Sequence, residues 1–202
     1  MSELGLKSLV RPKRYCSYKG QVGKVAKNIL NRDFKASHPN EKWVTDITEF
    51  NVKGKKLYLS VLLDLYNSEV VSHEIAERPH LEMVDSMLSK AIKILNPKDK
   101  PMLHSDQGWQ YQMTFFQQRL RDNGITQSMS RSGNCLDNAV MENFFGILKT
   151  ELFYLEKFND IKQLANYINS YIYYYNHDRI KLKLGGLSPI KYRLNREVNI
   201  SK

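Results

Sequence analysis

The chain has 202 residues, 42% of them apolar, and a formal charge of +10, which is enough apolar side chain for one domain of ordinary size with its own core. No apolar run approaches about 18 residues and the opening MSELGLKSLVRPKRY has no signal-peptide core, so the expectation is a cytoplasmic protein with no membrane partner. Two cysteines, Cys16 and Cys135, with no CxxC pairing, argue against a cysteine-rich zinc site.

The charge is unevenly placed. Residues 1–40 hold nine Lys or Arg against two acids, which leaves +3 for the other 162 residues. Interleaved with Tyr15 and Tyr18, this leader reads equally well as a solvated tail or as a nucleic-acid-facing arm, with Lys13, Arg14 and Lys19 on phosphates. Residues 1–39 are assigned to the arm, 40–155 to a core domain and 156–202 to a C-terminal helical extension of that core.

In chain order, the spacing predicts strands over Lys42–Val52, Leu57–Leu65 and Glu69–Ile75, joined as an antiparallel meander with a hairpin turn at Gly54. A helix over Leu81–Leu95 follows, then a short strand over Pro101–His104, a helix over Met113–Asp122 and a strand over Ile125–Met129. A polar loop, Ser130–Asp137, reads as mobile, with Asp137 as the cap of a helix over Asn138–Phe153. A final helix runs over Asp160–Asn176. This order predicts a mixed five-stranded sheet flanked by helices, an α/β arrangement resembling ribonuclease H.

At about 100° per residue, the Asn138–Phe153 helix sets Asn138, Glu142, Gly146 and Lys149 on one arc and Met141, Phe144, Phe145, Leu148 and Leu152 on another. A carboxylate and an ammonium two turns apart, with a glycine between, mark either a site or an ordinary solvated face. Asp46 lies inside a β-rich strand, where an acid is disfavoured without compensation, and Asp106 sits where a strand ends. Carboxylates gathered from two strands and a helix repel one another unless cations hold them, and oxygen ligands suit Mg²⁺ or Mn²⁺. Asp64, which interrupts an apolar strand, is a rival that composition does not separate from Asp46.

Four phrases in order, WVTDITEF, HSDQGWQY, SGNCLDNAVMENFFGILKTEL and YYNHDRIKLKLGGLSP, with 35 residues between Asp106 and Glu142, resemble the DDE transposases of bacterial insertion sequences. The resemblance is to the OrfB product of the IS-three type, in the superfamily of the retroviral integrase core. It implies a metal-binding catalytic triad of Asp46, Asp106 and Glu142 holding two divalent ions, Mg²⁺ or Mn²⁺. Asp64 falls outside that triad. Lys149, seven residues after Glu142, matches the family's DNA-contacting basic residue. Arg131, Asn138 and His104 are further candidates for DNA contact.

The implied reaction is cleavage of a DNA strand at the element's end, followed by attack of the freed 3′-hydroxyl on another phosphodiester. Implied partners are insertion-sequence ends, target DNA and further copies of the chain, as a homo-oligomer on DNA. The family's N-terminal helix-turn-helix is not present in this sequence, so recognition of the ends is expected from a fused domain or an upstream helix-turn-helix protein. Arg179-Ile180-Lys181 stands where the family often has R-x-H. Two other readings are a non-catalytic DNA-binding fragment and a ribonuclease H-like nuclease without joining activity.

Overall fold

β-Branched and aromatic side chains dominate β1 (Lys42–Val52), leucines make up most of the apolar side chains of β2 (Lys55–Asp64), and Val and Ile supply most of those of β3 (Val70–Ala76); the three pair as the expected antiparallel meander. The first hairpin turns on Lys53 and Gly54, both at positive φ (50° and 85°), with the Gly54 N–H donating to Asn51 Oδ1 at 2.9 Å. β4 (Met102–Ser105) and β5 (Thr126–Met129) add in parallel, giving the order β3-β2-β1-β4-β5. These are features of a computed structural model that describes residues 23–200; Lys13, Arg14 and Lys19 lie outside the described residues.

Alternation along β1 sends Trp43 to one face of the sheet and Val44 and Phe50 to the other. On the Trp43 face lie α1 (Leu81–Ile92), α2 (Trp109–Gln112) and α3 (Thr114–Asp122), with Met87, Phe116 and Leu120 buried against Leu62 and Leu103. The opposite face carries α4 (Ala139–Leu148) and α5 (Ile161–His177), whose Phe144, Leu148, Leu164 and Ile168 pack on Phe50, Leu59 and Val61. Asp160 caps α5 by accepting from Gln163 N at 2.8 Å, an interaction typically worth about 1 kcal/mol.

Several expectations need correction. α1 ends at Ile92, short of Leu95. The one-turn α2 comes before α3, in a stretch too short for periodicity to reveal. A sixth helix, α6 (Pro189–Ile200), follows the one expected to be last. It begins on a proline, whose missing N–H costs nothing in a first turn, and the Arg193–Glu69 ion pair (Nε to Oε2, 2.9 Å) ties it to the connection just before β3. Beyond α4 the chain widens into a π turn, Lys149–Phe153, marked by Tyr154 N donating five residues back to Lys149 O at 2.9 Å.

Candidate active site

β1 and β4 run in parallel register from Lys42↔Met102 to Thr45↔Ser105. β4 then stops while β1 continues to Val52, so one step further along this register Asp106 leaves the sheet beside Asp46. The uncovered edge of β1 forms one side of a notch lined by Asp46, Asp106, Glu49, Tyr58, Gln110 and Tyr111. Open sheets commonly place ligands at such a strand end. Asp64 pairs with Trp43, three residues back along β1 and on the opposite face. It is spent on the chain, accepting from Asn40 N (2.8 Å) and Tyr66 N (2.9 Å).

Both site aspartates are held by local N–H donors. Asp46 Oδ1 accepts from Ile47 N at 2.7 Å and Asp106 Oδ1 from Gly108 N at 2.8 Å. A Cβ on Gly108 would lie 2.9 Å from Asp106 Oδ1, so the missing side chain makes room for the carboxylate. Burial, and then the neighbouring Asp106 charge, push the Asp46 carboxyl up to about 7; burial also raises Asp106, against the Gly108 hydrogen bond.

Asn138 occupies the N-cap position of α4, where Asn is favoured, yet its side chain makes no cap. Its Nδ2 donates instead to Asp46 Oδ2 at 2.9 Å, and its Oδ1 is buried with no hydrogen-bond partner. Asp137 is not the cap either. Its fully buried carboxylate takes hydrogen bonds from Arg131 (N, Nε and Nη2), Arg32 Nε and Asn28 Nδ2, all between 2.8 and 3.0 Å. Chiefly through Arg131, these donors hold it far below the usual carboxylate range. The loop expected to be mobile is thereby tied down and closes in a 3-10 turn, Cys135–Asn138.

His104 corrects a second expectation. It is 1% exposed, so its ring has no surface to offer DNA. Burial lowers its pKa, and the neutral ring can satisfy both neighbours in one tautomer only. Nε2–H donates to Asp137 O (3.0 Å), and Nδ1 accepts from Ser128 Oγ–H (2.9 Å). Arg131, half-exposed, has its guanidinium on Asp137, and Asn138 is buried against Asp46.

Glu142 lies in the first turn of α4 and is exposed, close enough for its charge to raise the Asp46 carboxyl further. It does not line the notch, and among the described residues no three His, Cys, Asp or Glu side chains are close enough to hold a metal ion. The donor set nevertheless fits a hard divalent cation. Two enclosed carboxylates repel each other across the notch, and the orphaned Asn138 Oδ1 beside them can accept from water around a cation. Nothing within 4 Å would obstruct a Cβ at Gly146, so the arc between Glu142 and Lys149 is open. Lys149 Nζ sits 5.4 Å from the centroid of the Phe50 ring, on β1.

Two family models, each described as an integrase core domain, match residues 36–135 and 142–196. The chain is 58% identical over 193 residues to the Escherichia coli protein named "Putative transposase InsK for insertion sequence element IS150", covering 96% of this chain and 68% of that protein. It is 53% identical over 193 residues to a transposase-like protein of Haemophilus influenzae, covering 96% of this chain and 89% of the relative. Among solved structures, the HTLV-2 integrase catalytic core domain in complex with magnesium superposes with a TM-score of 0.62 at 23% identity, over 77% of this chain and 97% of that one. That likeness is one of fold.

Proposed function

Because the chain belongs to the integrase-core transposases of bacterial insertion sequences, enzymes that cut and join DNA strands, we propose that its reaction is carried by Asp46, Asp106 and Glu142. The single observation that carries this assignment is the placing of Asp106 beside Asp46 at the open end of β4, where burial raises both carboxyls and the Asp106 charge raises Asp46 further. Asp46 and Asp106 would hold divalent ions, two when the site is full, and Glu142 would complete the set by swinging in from α4. Such ions supply positive charge to the attacking and leaving oxygens of a phosphodiester.

The chain's own residues do the rest. Asn138 and the Ile47 N–H orient Asp46, and the Gly108 N–H orients Asp106. Lys149 would bind a DNA phosphate two turns from Glu142, guiding the strand along the uncovered edge of β1. The HTLV-2 core binds magnesium, and the same class of ion is the one this oxygen-only set would select. The substrates would be the ends of an insertion sequence and target DNA, bound by more than one copy of the chain.

Strand-transfer assays on end-bearing oligonucleotides with Mg²⁺ or Mn²⁺ test the triad. Asp46→Asn, Asp106→Asn and Glu142→Gln should each lower the rate by on the order of 10²-fold or more while a cooperative melt persists. Activity persisting in all three would reject the assignment. Lys149→Gln should weaken binding of the DNA end and leave metal binding intact.

A further inference from the structure

The segment from Gly23 to Phe34 has no regular secondary structure, yet it is docked with specificity along β5. Ile29 N and Leu30 N both donate to Ser128 Oγ (2.9 and 3.1 Å), Met129 N donates to Lys27 O (3.3 Å), and the Leu30 side chain is 2% exposed within the core. A Cβ on Gly23 would fall 1.8 Å from Gln112 O, so the backbones meet there without a side chain between them. Asn28 and Arg32 then reach Asp137, more than a hundred residues away in sequence.

Asp137 stands directly before Asn138, whose amide holds Asp46. Its backbone carbonyl is gripped from below by His104, which is tied through Ser128 Oγ to the same arm. The arm therefore touches the turn before α4 in three ways, at the Asp137 carboxylate, at Asn134 Oδ1, which accepts from Arg32 Nη2 at 3.1 Å, and through the Ser128–His104 column. Nothing else among the described residues links the arm to an atom beside the reacting centre so directly.

We infer that Arg32 is a positioning residue of the reaction: by clamping the Asp137 carboxylate together with Arg131, the docked arm fixes the turn that presses the Asn138 amide onto Asp46. This rests on the assignment of Asp46 to the metal site. The arm is then part of the active site's frame, and an undocked arm leaves Asp46 without its amide donor. Arg32→Gln is a clean probe, because Arg131 still compensates the buried Asp137 charge and the fold survives.

The test uses the full chain, with Mn²⁺ titrated by calorimetry and the Asn138 side-chain amide followed by NMR. In Arg32→Gln the Asn138 amide resonance should move toward its position in Asp46→Asn, and Mn²⁺ should bind about tenfold more weakly. Arg32→Lys, which restores a charge to the clamp, should recover part of both. An Asn138 resonance unmoved in Arg32→Gln, or an unchanged Mn²⁺ affinity in a variant whose resonance has moved, overturns the proposal. Asp46→Asn that binds Mn²⁺ like the wild type rejects the metal assignment instead, and the amide resonance still judges the clamp.

Discussion

Asp46 is costly to bury ionised, and its cost sets a pH dependence. Its folded pKa of about 7 lies above the ordinary 3.8, so the folded protein binds the extra proton between those values. Stability from this group is complete below about pH 4 and lost as pH rises through about 7. Metal-free Asp46→Asn should therefore melt higher than the wild type by about 2–8 °C at about pH 8, with little difference at about pH 4, as calorimetry would read. A divalent cation should stabilise the wild type at the higher pH and not the variant. His104 works in the opposite sense. Its lowered pKa means that stability is complete above about 6.5 and falls as acid protonates Nδ1 against the Ser128 hydroxyl.

Among the elements, the π turn after α4 is held by side chains from outside it. Glu151 within it is held by Arg179 Nε (2.7 Å to Oε2) and by the Tyr171 hydroxyl (2.8 Å), so the segment after α5 pins the turn that begins at Lys149. The pair is partly exposed, which limits its worth to about 1 kcal/mol. Glu151→Ala should lower the melting temperature by about 2–4 °C and shift Lys149, so that affinity for DNA ends falls while Mn²⁺ affinity stays. A DNA affinity unchanged in Glu151→Ala would separate the turn from Lys149.

Elements with a strong period were legible in the sequence. The meander, the apolar seam of α4 and the strand-end position of Asp106 all follow from alternation, spacing and stop signals. The π turn, a single extra residue per turn, leaves no periodic trace, and α2 is too short to leave one. The pairing of Asp46 rather than Asp64 with Asp106 depends on register between strands far apart in sequence, which residue type does not encode; resemblance supplied it. Asp137 was misread as a helix cap because its partner Arg32, about a hundred residues away, is brought in by tertiary packing, just as Ser128 is brought to His104. An Asp followed by Asn at a helix start gives a capping signal, and here both side chains are used elsewhere.

At the scale of the whole molecule, the field is basic and concentrated in the leader, while the notch is acidic. On the proposed function, DNA would be drawn by the leader and the outer surface, and would enter the notch only with cations present to offset Asp46, Asp106 and Glu142. Affinity for random-sequence duplex should fall steeply between about 50 and 200 mM salt, and removing residues 1–22, which hold five of the 31 Lys and Arg, should flatten that slope. Fluorescence anisotropy with labelled duplex would measure both.

The most direct test of the central claim is a Mn²⁺ soak of crystals of the full chain, with the ion located by its anomalous scattering. The account predicts density between the Asp46 and Asp106 carboxylates, with Glu142 turned inward from α4 to join them. Density elsewhere, with the notch empty at a concentration that supports strand transfer, would contradict it.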